Sequence, residues 1–82
     1  MSEEMMRASI LAPIEWPEPG DRHPFIRLVQ RRLTEAGCPV PETGCYDAAT
    51  QAALAAFQQA AELEARGILD GRTVVVLWKR TA

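Results

Sequence analysis

Residues 44–50 read Gly44-Cys45-Tyr46-Asp47-Ala48-Ala49-Thr50, and residues 67–73 read Gly67-Ile68-Leu69-Asp70-Gly71-Arg72-Thr73. The two stretches share one pattern: Gly, two mostly apolar residues, Asp, two spacers, Thr. Each part of it has a local task. Glycine permits the turn, the apolar residue after it anchors the loop in a core, and aspartate accepts from the free N–H groups of a starting helix, where threonine adds a second polar contact. Both stretches are therefore expected to be helix-starting joints, with Asp47 and Asp70 as caps that do no chemistry.

Working outward, the chain after Asp47 predicts a helix with Ala53, Leu54 and Phe57 on one face, in an alanine-rich body that favours helix and close packing. A shorter helix follows Asp70, with Thr73, Val74 and Leu77 inward and Trp78 near its end; at this length it depends on tertiary contacts. Upstream, Asp21 reads as a cap and Pro24 as an early helical position, so a first helix is expected from about Pro24 to Ala36. Ile26, Val29 and Leu33 recur there at helical spacing with Arg27, Arg31 and Arg32 between them. Gly37 supplies the stop, and Pro39 and Pro41 enforce a loop. Ile26, Val29, Leu33, Leu54, Phe57, Leu69 and Leu77 are expected to be buried together. The fold class is all-α: a compact three-helix bundle over residues 20–82.

Residues 1–19 differ. Pro13, Pro17 and Pro19 block helix propagation and lack the N–H of a strand ladder, so this stretch is expected to be an extended arm. Met5, Met6, Ile10, Leu11, Ile14 and Trp16 are too apolar to remain in water without cost, and the arm should pack on something.

The chain has 82 residues and a net charge of −2. That length holds one small domain and excludes a multi-domain enzyme. The charge offers no positive field for a polyphosphate, so nucleic acid is not an expected partner. No apolar run approaches the roughly 20 residues needed to cross a bilayer, so no membrane partner is expected either. Cys38, Cys45 and the single histidine, His23, do not make a four-ligand zinc set, and neither metal nor other cofactor is expected. The cysteines can close a small loop as a disulfide or stand as two half-buried thiols, and the sequence leaves both open. Catalysis fails on inventory: His23 has no Ser or Cys at a motif spacing, Glu62 and Glu64 fall in a polar segment, and the glycines are scattered singletons.

Gly20-Asp21, then Ile26-x-x-Val29-Gln30-x-x-Leu33 ending at Gly37, then Gly44-x-Tyr46-Asp47-x-x-Thr50-x-x-Ala53-Leu54-x-x-Phe57-Gln58, then Gly67-x-Leu69-Asp70-x-x-Thr73-x-x-x-Leu77 follow one another in this order. In that order and spacing they resemble the small three-helix peptidoglycan-binding domain found beside cell-wall hydrolases and in phage endolysins. The resemblance covers Gly20 to about Trp78. It implies three helices joined by ordered loops and a wall-glycan or stem-peptide ligand, without catalysis. The chain departs from that family at His23, where Gly is usual, and at Cys38, where Tyr is frequent.

A pyranose offers C–H faces and a rim of hydroxyls, and a stem peptide offers carboxylates, so aromatic rings, amides and arginines are the usable groups. Tyr46, Gln58, Arg66 and Arg72 are the candidate wall-binding residues, although Tyr46 also suits core packing and Gln58 also suits a loop carbonyl. A second reading comes from surplus apolar groups. Phe25, Leu28, Val75 and Trp78 exceed what one helix face can bury, so with Ile10, Leu11, Ile14 and Trp16 they form a candidate partner surface. On that reading the chain is a small structural component of a bacteriophage virion, a capsid or tail accessory protein. Ser2-Glu3-Glu4 is acidic where a secretory signal is basic, so the expectation is cytoplasmic synthesis with release by lysis or incorporation into a virion.

Overall fold

Three helices form behind three caps in the computed structural model, which describes residues 16–82. They are α1 (Pro24–Glu35), α2 (Ala48–Ala60) and α3 (Gly71–Arg80). Ile10, Leu11 and Ile14 of the expected arm lie outside the described residues. Asp47 Oδ1 accepts from Thr50 N at 3.0 Å and Asp70 Oδ1 from Thr73 N at 2.7 Å, as the two joints predict. The start of α1 differs from expectation. Pro24 is the first helical residue, which places the cap at His23, whose Nδ1 accepts from Phe25 N at 3.0 Å. Asp21 sits too far upstream to reach those N–H groups, and its Oδ2 accepts from Glu18 N at 2.8 Å in the preceding turn.

α1 packs against both α2 and α3. Ile26, Val29, Leu33, Leu54, Phe57, Leu69 and Leu77 are all buried in one core, joined by Val40, Tyr46 and Ala53. Val74, expected inward, is half-buried against that core. Cys38 and Cys45 are free, half-buried thiols.

Among the described residues four polar side chains are buried with the apolar ones: Gln30, Thr50, Gln58 and Thr73. Burying an amide without partners is costly, and here each glutamine is satisfied by the joint that follows its own helix. Gln30 Oε1 accepts from Gly44 N at 2.9 Å, while its Nε2 donates to Cys45 O at 3.0 Å and Thr50 Oγ1 at 2.9 Å. Gln58 repeats this, with Oε1 accepting from Gly67 N at 2.8 Å and Nε2 donating to Ile68 O at 2.9 Å and Thr73 Oγ1 at 3.0 Å. Among the described residues no buried side-chain nitrogen or oxygen lacks a partner.

The surplus apolar groups of α1 and α3 are partly explained within the chain. Phe25 and Trp78 stack with ring centroids 5.6 Å apart, and Trp16 lies against Phe25 at 5.8 Å. Arg32 lies over the Trp78 ring, with its guanidinium 5.1 Å from the ring centre and Nη1 donating to Thr81 O at 2.9 Å. Of the expected partner surface, Phe25, Trp78 and Trp16 are therefore half-buried against one another, whereas Leu28 (48% exposed) and Val75 (55%) still face solvent.

Candidate functional site

Both joints lie at one end of the bundle, where the segment before α1 crosses them. That segment pairs with the first joint: Tyr46 N donates to Asp21 O at 2.8 Å, Gly20 N to Tyr46 O at 2.8 Å and His23 N to Gly44 O at 3.0 Å, around an antiparallel bridge of Arg22 with Cys45. The second joint is held by a side chain. Tyr46 is 1% exposed, and its hydroxyl donates to Gly67 O at 2.7 Å and accepts from Leu69 N at 3.1 Å. Burial pushes this hydroxyl above the usual phenol range, and the bond from Leu69 pulls less strongly the other way.

Between the segment and the second joint runs an open groove. One wall carries the rings of Trp16 and Phe25 with Pro17, the other carries Ile68 and Leu69, and Glu18, Asp21 and His23 complete the lining. Trp16 reaches far enough that its ring lies about one van der Waals contact from the start of α3, 4.0 Å from where a Cβ on Gly71 would stand. Ile68 is 40% exposed, an apolar side chain turned toward water at the mouth of a groove. The chemistry on offer is an aromatic face, an apolar counter-wall and two exposed carboxylates. With Nδ1 of His23 engaged as a helix cap, only Nε2 of that ring is left for another contact.

The wall-binding candidates from the sequence separate into two kinds. Tyr46 and Gln58 are both 1% exposed, and their hydrogen bonds go to the second joint, so they shape that joint from inside. Arg66 and Arg72 are exposed on either side of the start of α3, and Arg66 pairs with Glu64 at 2.9 Å. Neither arginine is among the groove residues named above. The groove itself brings together Trp16 and Phe25, read from the sequence as partner contacts, with Asp21, read there as a helix cap, and with Glu18 and Ile68, which the sequence reading did not select.

Among the described residues Asp47 is the carboxyl held below its usual range, because Thr50 donates to it from both its backbone N–H and its hydroxyl. That is the electrostatic signature of a cap. Glu62 and Glu64 are both exposed, with Glu62 in the left-handed region at φ 60° just after α2. Among the described residues no group of three His, Cys, Asp or Glu side chains is placed to hold a metal ion, and no helix is long and apolar enough to cross a membrane.

Comparison with curated proteins and with solved structures gives no match. One family model does match, that described as "Putative peptidoglycan binding domain", over residues 22–77. That range runs from the Arg22 bridge through both joints to the last core residue of α3, and so takes in two-thirds of the chain and every buried glutamine and threonine described above. On that match and this architecture, the chain belongs to the peptidoglycan-binding domain family.

Proposed function

We propose that the chain is a non-catalytic module that attaches to bacterial cell-wall peptidoglycan through the groove at the joint end of the bundle. One observation carries the reading: that groove is where aromatic faces, an exposed apolar side chain and free carboxylates converge, whereas the buried polar groups are all spent on holding the joints. Trp16 supplies a ring face against which a sugar or a peptide methylene can lie. Arg66 and Arg72 stand beside the start of α3 and suit the carboxylates of a stem peptide. Tyr46 and Gln58 act indirectly, by fixing the joint that carries Ile68.

Co-sedimentation with purified insoluble peptidoglycan tests this. The full chain should pellet with the wall in a saturable manner, and Trp16→Ala should weaken binding about tenfold while leaving the helices intact. A chain that stays in the supernatant at every wall concentration refutes the reading.

A second reading, a small protein-binding component of a bacteriophage virion, is supported by the exposure of Leu28 and Val75, two large apolar side chains that a partner would bury. It requires association. Sedimentation of the purified chain alone and with candidate partners measures it, and substitution of both residues by Glu should abolish any complex found.

A further inference from the structure

We infer that residues 10–14 dock along the outer face shared by α1 and α3, where they cover Leu28 and Val75. The occupant of that face is the chain's own arm. This goes beyond wall binding and rests on the fold alone.

The described chain begins at Trp16, and it begins on this face. The Trp16 ring stands 5.8 Å from that of Phe25 and lies 4.0 Å from where a Cβ on Gly71 would stand. Phe25 in turn stacks on Trp78 at 5.6 Å. Neighbours on a helix surface are three or four residues apart. Leu28 therefore follows Phe25 on α1, and Val75 lies between Gly71 and Trp78 on α3. The aromatic cluster continues into two large apolar side chains, 48% and 55% exposed. Leaving both in water costs free energy, and the segment that leads into the cluster is tethered beside them.

The sequence of that segment fits the task. Residues 10–16 read Ile10-Leu11-Ala12-Pro13-Ile14-Glu15-Trp16. Pro13 favours extended backbone at the residue before it, and Pro17 does the same for Trp16. Alternate side chains of an extended chain share a side, so Ile10, Ala12 and Ile14 fall on the side of Trp16, which already meets the helices. Residues 10–14 carry no charge, so seating them against Leu28 and Val75 buries none. The reach is ample. From Gly71 to Val75 the axis of α3 rises about 6 Å, whereas the stretch 10–14 spans about 17 Å when extended. A second copy or a separate partner would lose translational freedom on binding, a cost that a tethered segment avoids. The face that the virion reading offers to a partner is then filled from within the chain.

Methyl NOEs measured on the full chain test this, in a sample mixing two differently labelled copies so that contacts within a chain are separated from contacts between chains. The methyls of Ile10 and Ile14 should show NOEs to Leu28 and Val75 within one chain. Ile14→Glu should lower the melting temperature by about 4–8 °C, and Leu11→Glu, on the opposite side of the arm, by much less. In a Val75→Glu background the Ile14→Glu substitution should lose most of its effect, because the two positions share one contact. Absence of any NOE from residues 10–14 to α1 or α3, or equal losses at positions 11 and 14, overturns the proposal. NOEs seen only between differently labelled copies overturn it in favour of a second copy as the occupant. None of these outcomes depends on co-sedimentation with peptidoglycan, which tests the groove.

Discussion

The two joints carry the same residues in the same order, with the same buried glutamine behind each, yet they are held from outside by different means. The first is closed by backbone: three hydrogen bonds from the segment Gly20–His23 tie it down. The second is closed by a single phenol hydroxyl that serves Gly67 and Leu69 at once. A strand leaves its partner's edge fully paired; a hydroxyl group satisfies two atoms and leaves the outer surface of the joint open. That difference is why the groove lies beside the second joint and not the first, and why Ile68 is exposed where its counterpart in the first joint, Cys45, is half-buried.

The most severe break in this comparison should come at the glycines. A Cβ on Gly67 would stand 2.8 Å from the backbone oxygen of Gln51, at φ 70°, whereas a Cβ on Gly44 at φ 79° meets nothing closer than His23 O at 3.7 Å. A carbonyl inside α2 cannot step aside. Gly67→Ala should therefore cost about 2–5 kcal/mol, strain plus overpacking, and Gly44→Ala about 1–2 kcal/mol, strain alone. Denaturant melts of both variants check this, and equal costs would show that the joints are sterically alike.

Next in size is the hydroxyl. Tyr46→Phe should cost about 1–3 kcal/mol by stranding Gly67 O and Leu69 N. It should also change the response to alkali. The folded state holds Tyr46 neutral with its pKa raised above the ordinary 10.0, so this contribution is fully present below pH 10.0 and is lost as pH rises through the folded value. Melting temperature followed upward from pH 9 should show an extra fall in the parent that is missing in the Phe variant.

The caps sharpen the comparison further. Asp70→Ala should cost about 0.5–2 kcal/mol and Asp70→Asn almost nothing. Asp47→Ala should cost more than Asp70→Ala, because Asp47 also accepts from the Thr50 hydroxyl at 2.9 Å. Since those bonds lower the folded pKa of Asp47 below the ordinary 3.8, their contribution is present above that pH and is lost as pH falls through the folded value. Thermal melts of the Asp47→Asn variant should lack this acid-side loss. The smallest effect is expected at Gly71, which stands where the first joint has Ala48. A Cβ there meets the Trp16 ring at an ordinary 4.0 Å, so Gly71→Ala should raise stability by up to about 0.5–1 kcal/mol. A loss instead would mean that Trp16 sits closer to α3 than described.

The joints were legible in the sequence because their chemistry is local. Gly, Asp and Thr at fixed spacing specify a turn and a cap whatever surrounds them, and Ile26, Val29, Leu33, Leu54, Phe57 and Leu77 declare their faces by periodicity alone. What escaped is chemistry that only tertiary packing creates. Gln58 suits a loop carbonyl on sequence grounds and donates to Ile68 O, but Gln30 stands on a helix where glutamine ordinarily faces water, and nothing local says that it is buried against the next joint. Asp21 is the stronger capping type, yet Pro24 fixes the cap one residue upstream of itself, at His23. The groove was invisible for the same reason. Trp16 and Ile68 lie 52 positions apart in sequence and become neighbours only when the segment before α1 crosses the joint end.

The forward reach of the two glutamines bears on how fast the chain can fold. Gln30 meets Gly44 across 14 residues and Gln58 meets Gly67 across 9, so each joint closes a short stretch of chain just after its own helix. Closing so short a stretch carries little entropy and takes on the order of 10–100 ns. The closure of α3 on α1 is far longer, with Arg32 meeting Thr81 across 49 residues and Phe25 stacking on Trp78 near the other end of the chain. A search made mostly of such short steps places the bundle among rapid folders, in the microsecond to millisecond range, with the docking of the last turn of α3 onto α1 as its slowest local event.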